Sequence, residues 1–148
     1  MVKDFVKSVK GTDFPKYFDS GITQEAFNKW MEENMVYLTG DTHNEFTRLS
    51  NKYFKKYDLE IGENDYIIVC GDLGLCWSKD KTFEWNCKWF AEKPYTLLWV
   101  QGNHENYDMI DEYPIEKWHG GKVRHIVRGK VILLERGQIF DIEGKTFS

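Results

Sequence analysis

The sequence predicts an α/β fold in which a parallel βαβαβ sheet is followed by antiparallel hairpins. Three continuous apolar runs alternate with two segments of helical periodicity. In chain order these segments are residues 35–39, 46–59, 66–70, 81–93 and 96–100. Continuous apolar runs between helices indicate parallel strands that are buried on both faces of a sheet. After residue 112 the apolar segments become short and are separated by turn dipeptides, which is typical of antiparallel pairing.

The two helices between the strands are predicted from apolar side chains that recur at helical spacing. Phe46 and Leu49 belong to the apolar face of the first helix, and Phe83 and Phe90 to that of the second. Pro94 ends the second helix, because proline cannot continue a regular helix.

Four short strands are predicted in the C-terminal part of the chain. They are residues 122–127, 130–135, 137–142 and 145–148. Their turns contain glycine and are placed at Arg128–Gly129, Arg136–Gly137 and Glu143–Gly144. Each of these turns is expected to join two antiparallel strands.

The N-terminal segment differs from the rest and is predicted to be a separate unit. Residues 1–34 are interpreted as a helical appendage, and residues 35–148 as the main domain. Val6 and Val9 lie at helical spacing, and Thr23 is a plausible N-cap for a second helix.

Composition and charge restrict the class of function. With 148 residues, 41% hydrophobic and 16% aromatic, the chain fits one globular domain. Its formal net charge of -4 argues against a protein that mainly binds the nucleic acid backbone. A phosphate-containing substrate is still allowed, because a bound metal ion can reverse the local field.

The cysteines and the lack of long apolar segments predict a reduced, cytoplasmic protein. Cys70, Cys76 and Cys87 have no C-x-x-C spacing, and an odd number cannot pair completely. No apolar stretch has membrane-spanning length, and the N-terminus lacks the apolar core of a signal peptide. No membrane partner is therefore expected.

Polar residues follow each of the three apolar strands at a constant interval. Asp41 and Asp72 are 31 residues apart, as are Asp72 and Asn103. Because one βαβ unit takes about 30 residues, the three side chains should occupy equivalent places at the carboxyl ends of their strands. Ligands bind at that edge in open α/β sheets.

These residues and their neighbours have the chemistry of a metal site. Asp41, His43, Asp72 and Asn103 offer carboxylate, imidazole and amide donors, a mixture that suits Mn, with Fe or Zn as alternatives. His104, directly after Asn103, could give a proton to a leaving group. Gly-Asp and Gly-Asn are ordinary turn dipeptides when they occur singly, and it is their joint occurrence that favours a site.

The motifs GDTH, GDLG and GNHE, in this order at the ends of successive strands, resemble those of the calcineurin-like metallophosphoesterases. The resemblance covers residues 35–148 and implies a β-sandwich flanked by helices. It also implies that Asp41 and His43 bind a first metal ion, that Asp72 bridges two ions and that Asn103 binds the second. His104 would assist departure of the leaving group, and a metal-bridging hydroxide would attack the phosphoester.

The resemblance also implies two later motifs, G-H and G-H-x-H, which this sequence does not contain. His119 and His125 match neither, and each is more typical of a surface histidine than of a replacement ligand. The domain is therefore predicted to be truncated. It should hold one metal ion or none where the family holds two, and its activity should be weak or absent.

Two functions follow as hypotheses. The first is a metal-dependent phosphoesterase that hydrolyses a phosphomonoester or a phosphodiester of unknown identity. The second is a degenerate, non-catalytic binding or regulatory module. An unpaired sheet edge near residues 145–148 would favour a protein partner or a homo-oligomer. Trp77, shortly after Asp72, is left open between a wall of the substrate pocket and a core residue.

Overall fold

The computed structural model describes residues 6–7 and 35–148, and it shows a mixed sheet with short helices. In chain order the described elements are β1 (Val6–Lys7), β2 (Val36–Thr39), a 3₁₀ helix (Thr47–Leu49), α1 (Asn51–Lys56), β3 (Tyr66–Cys70), α2 (Lys81–Ala91), β4 (Thr96–Val100), α3 (Tyr107–Asp111), β5 (Ile115–Trp118), β6 (Gly121–Val127), β7 (Val131–Leu134), β8 (Phe140–Ile142) and β9 (Lys145–Phe147).

The main sheet has the strand order β1-β2-β3-β4-β7-β6-β5. Strands β2, β3, β4 and β7 are parallel to their neighbours in that series, whereas β1, β6 and β5 are added in antiparallel pairs. Strands β8 and β9 form a separate two-stranded antiparallel sheet. The predicted α/β class, with a parallel βαβαβ unit followed by antiparallel hairpins, is confirmed.

The helices agree with the sequence pattern, with one interruption. The segment predicted as one helix over 46–59 divides into the 3₁₀ helix and α1 at Ser50, whose backbone is extended. The hydroxyl of Ser50 accepts a hydrogen bond from the N–H of Tyr53, so it caps α1. Helix α2 begins after the capping carboxylate of Asp80 and, with 11 residues, is the longest described helix. No helix in residues 35–148 is long and apolar enough to cross a bilayer.

Two details of the prediction are wrong, and two elements were missed. Val6–Lys7 form a strand paired with β2 instead of part of a helix. Arg136–Gly137 is not a hairpin turn, because β7 and β8 on either side of it belong to different sheets. Strand β5 and helix α3 were not predicted. Strand β5 is an edge strand whose side chains alternate between exposed and half-buried, so it lacks an apolar run.

The rest of the predicted helical appendage lies outside the described residues. The division of the chain into 1–34 and 35–148 therefore stays a prediction.

The core occupies both faces of the main sheet. On one face Val69, Leu97 and Leu133 pack with helical residues such as Phe90. The other face of the sheet is covered by the β8–β9 hairpin. The side chains buried there are Val36, Ile68, Leu98, Val123, Ile132, Leu134, Phe140 and Ile142.

The three cysteines are free thiols in the structure. Burial raises the pKa of the Cys76 thiol to about 12, so this side chain stays protonated at neutral pH and behaves as a small apolar group. The cellular compartment stays a prediction.

Substitutions at the contact between Gly121 and Phe140 can test how closely the β8–β9 hairpin packs on the main sheet. A Cβ added at Gly121 would lie 2.3 Å from the Phe140 ring, and Phe140 is buried. We expect Gly121→Ala to lower the free energy of unfolding by about 1–3 kcal/mol through overpacking, as measured by urea denaturation. The double variant Gly121→Ala/Phe140→Leu should lose less than the sum of the two single variants. Additive losses would contradict the contact.

Candidate functional site

The parallel strands set the positions of the candidate site residues through their register. Val36 lies opposite Tyr66, and Tyr66 lies opposite Thr96, so neighbouring strands are offset by 30 residues. The polar residues recur at 31, and each therefore sits one residue farther along its strand than its neighbour. All three residues follow the carboxyl ends of their strands, and the register offsets them by one residue from each strand to the next.

The shifted register places Gly102 beside Asp72. A Cβ added at Gly102 would lie 1.9 Å from Asp72 Oδ1 and 2.4 Å from the Asp72 backbone nitrogen. Only glycine leaves room there for the carboxylate. By contrast, a Cβ at Gly40 would meet nothing within 4 Å, so the close approach is needed in the third motif and not in the first.

Hydrogen bonds to backbone carbonyls hold the loop after β2 against the loop after β3. The carbonyl of Asp72 accepts hydrogen bonds from the N–H groups of Thr42 and His43, at 3.2 and 2.9 Å. The carbonyl of Leu73 accepts two more, from the Asn44 N–H at 3.0 Å and from the Thr42 hydroxyl at 2.7 Å. These bonds fix His43 relative to Asp72.

The loop after β4 is also hydrogen-bonded to the loop after β3. The N–H of His104 donates to Asp72 Oδ1 at 2.7 Å, and the N–H of Leu73 donates to Glu105 Oε1 at 3.0 Å. The His104 N–H holds the pKa of the Asp72 carboxyl below its usual value. Burial raises the pKa of Glu105, which is only 8% exposed. No role was predicted for Glu105, although it is the last residue of the GNHE motif.

Several residues at the meeting of these loops have a left-handed backbone. The φ angles are 45° at His43, 65° at Asn44 and 45° at Asp72. Such conformations are unfavourable for residues with a Cβ and are found mainly where the surroundings hold them in place. Here the hydrogen bonds between the loops do so.

Three of the predicted side chains form a compact group of potential metal ligands. Donor atoms of His43, Asp72 and His104 all lie within 4.8 Å of one another. His104 Nδ1 is 3.3 Å from Asp72 Oδ2, and the two imidazole rings are 5.6 Å apart between centroids. Asp72 is buried, whereas both histidines are exposed. The group thus has a fixed carboxylate at its base and two imidazoles open to solvent.

The other two predicted ligands lie at the edge of this group. Asp41 Oδ2 is 2.7 Å from His43 Nε2, and Asn103 Nδ2 is 3.2 Å from His104 Nδ1. The structure therefore brings all five predicted residues together, each within hydrogen-bonding distance of at least one other. Their roles as metal ligands and as a proton donor stay predictions.

The two remaining histidines lie outside the group. His119 Nδ1 is 2.8 Å from the carbonyl oxygen of Asp141, and its ring packs on Trp118. His125 Nδ1 accepts a hydrogen bond from the N–H of Gly129, in the turn between β6 and β7. Neither belongs to the cluster of potential ligands found among the described residues.

A cavity of about 530 Å³ adjoins the group. Its lining includes His43 and His104 together with Trp77. Trp77 is 62% exposed, so the alternative in which it is a core residue is wrong. A large aromatic side chain and the two imidazoles therefore line the same cavity.

The close approach at Gly102 leads to a prediction about metal affinity. Gly102→Ala would push Asp72 away from its position, so we expect Mn²⁺ affinity to fall at least about tenfold, as measured by calorimetric titration. Gly40→Ala is the matched control and should bind Mn²⁺ as the unmutated chain does. Equal affinities for the two variants, with both shown to be folded, would contradict the role of this contact.

The chain was also compared with known proteins. Residues 35–146 match the calcineurin-like phosphoesterase family. No curated protein matches the chain significantly. No solved structure does so either. The family match covers most of the chain and includes all five predicted site residues, and the chain therefore belongs to the calcineurin-like phosphoesterase family.

Proposed function

We propose that the protein is a metal-dependent phosphoesterase that hydrolyses a phosphomonoester or a phosphodiester. The observation that supports this most is the convergence of His43, Asp72 and His104 donor atoms within 4.8 Å, at the carboxyl edge of a parallel sheet. Membership of the phosphoesterase family gives the class of reaction.

The donor set fits a divalent transition metal ion. His43 contributes an imidazole nitrogen, Asp41 and Asp72 contribute carboxylate oxygens, and Asn103 contributes an amide oxygen. This mixture suits Mn²⁺, Fe²⁺ or Zn²⁺ better than an all-oxygen cation such as Ca²⁺. When bound, such an ion supplies Lewis acidity and lowers the pKa of a coordinated water molecule.

Asp72 is the fixed component of the proposed site. Its carbonyl holds the loop that carries His43, and its Oδ1 holds the backbone of His104. Its Oδ2 faces the imidazole of His104. The carboxylate is therefore positioned before any cation or substrate binds, which reduces the reorganisation needed at the site.

His104 is suited to transfer a proton. In the imidazolium form, its Nδ1–H can donate to Asp72, while its exposed Nε2–H can donate to a bound group. In the proposed reaction a water oxygen bonds to phosphorus and releases its proton to solvent. The bond from phosphorus to the leaving oxygen breaks, and that oxygen takes the proton from His104.

The second candidate is a non-catalytic binding or regulatory module. Within these 148 residues, only Asp72 and Asn103 are assigned to a second ion, and this candidate needs no second ion. A protein partner or a second copy at the strand edge near residues 145–148 belongs to this candidate. Metal binding without hydrolysis would support it.

The first test is the dependence of hydrolysis on Asp72. The unmutated chain with Mn²⁺ should hydrolyse p-nitrophenyl phosphate or its bis ester, and EDTA should abolish the reaction. We expect Asp72→Asn to lower kcat/KM at least about 100-fold, because it removes a charged ligand, although its amide oxygen can still accept the hydrogen bond from the His104 N–H. Asp141→Asn, an exposed acid on β8, is the control. Activity that persists in Asp72→Asn would contradict the proposal.

The second test separates proton transfer by His104 from metal binding by His104. A p-nitrophenolate leaving group needs little protonation, whereas an alkoxide needs it strongly. If His104 is the proton donor, His104→Asn should lower kcat/KM for benzyl phosphate about 100-fold or more, and much less for p-nitrophenyl phosphate. Equal losses for both esters would instead assign His104 to the metal ion. His125→Asn serves as the control for a histidine outside the group.

A further inference from the structure

The cavity beside the group of potential metal ligands has aromatic side chains in its wall that the proposed chemistry does not use. Trp77 and Phe83 line it together with His43 and His104. Phe83 packs on the core, whereas Trp77 is 62% exposed. The indole therefore offers an uncovered aromatic face to whatever occupies the cavity.

The exposure of Trp77 does not come from a loose chain. Its carbonyl accepts a hydrogen bond from the Asn106 side-chain amide at 2.8 Å, and the carbonyl of Cys76 accepts one from the Asn106 N–H at 3.3 Å. The preceding residues Leu75 and Cys76 are buried in the core. Nearby, Gly74 packs so closely that an added Cβ would lie 2.5 Å from the Asn44 nitrogen. The backbone is thus anchored at Trp77 and at the residues before it, while the indole stays exposed.

The charge of the lining limits what can bind there. None of the described residues that line the cavity is Lys or Arg. The one carboxylate among them, Asp80, is engaged in capping α2 through the N–H of Phe83 and in accepting from the Ser78 hydroxyl. A second phosphate group would find no Lys or Arg side chain in this lining and would meet the carboxylate of Asp80. Asn44 and Ser78 add neutral polar groups to the lining.

From the exposed indole, its anchored backbone and a lining without Lys or Arg, we propose that the cavity binds the leaving group of the substrate, and that this group is a neutral, planar aromatic one. Trp77 is the specificity-determining residue, because an aromatic ring gains from stacking on the indole, whereas a saturated ring of the same size does not. The substrate class is then a phosphoester of an aromatic alcohol or of a similar ring-bearing group without further phosphates. This inference rests on the proposed phosphoesterase function.

The test compares benzyl phosphate with cyclohexylmethyl phosphate, in the full chain with Mn²⁺. The two esters have similar size and similar alkoxide leaving groups, so their ratio of kcat/KM reports recognition of the ring. We expect a ratio of about three to ten in favour of benzyl phosphate, which falls to about one in Trp77→Ala and is partly kept in Trp77→Phe. Trp85→Ala is the matched control. Trp85 is also 62% exposed, lies on α2 and does not line the cavity.

Calorimetric titration with the two corresponding phosphonates, which cannot be hydrolysed, separates this inference from the proposed function. A benzyl preference in binding that Trp77→Ala removes and Trp85→Ala keeps supports the inference, even if neither ester is turned over. Hydrolysis that depends on Asp72, with the same ester ratio in Trp77→Ala as in the unmutated chain, overturns the inference and leaves the function standing. Equal binding of both phosphonates by the unmutated chain also overturns it.

Discussion

Asp72 connects the three loops on which the candidate site is built. Its carbonyl accepts hydrogen bonds from the loop after β2, and its carboxylate accepts one from the loop after β4. The carboxylate can occupy its place only because Gly102 has no side chain at the point of closest approach. The geometry of both imidazoles therefore depends on one residue pair, Asp72 and Gly102, whose contact is set by the register of the central strands.

Much of the fold can be predicted from the sequence, because the strands are apolar runs with clear ends. The runs at 66–70 and 96–100 coincide with β3 and β4. The apolar run of β7 does not reveal its partner, and the structure makes it a fourth parallel strand beside β4. Strand β5 could not be predicted, since it is stabilised by pairing with β6 and carries no apolar run of its own.

The residues of the candidate site were predictable, whereas their exact relations were not. Constant spacing after the strands identifies Asp41, Asp72 and Asn103, because parallel strands share one carboxyl edge. The same spacing does not show that the register is 30 instead of 31. The spacing also does not identify Glu105, whose buried carboxylate accepts a hydrogen bond from the N–H of Leu73. Leu73 lies in a different loop from Glu105, and a contact between two loops cannot be predicted from the local sequence around either residue.

The left-handed backbone at His43, Asn44 and Asp72 has a consequence for how this chain can change. Each of these conformations costs on the order of 1–3 kcal/mol for a residue with a Cβ, and glycine would avoid that cost. Two of these residues, His43 and Asp72, belong to the group of potential metal ligands. Glycine at either position would therefore favour folding and remove a side chain of the candidate site. In this region, a variant that unfolds at a higher temperature is a candidate for having lost the site.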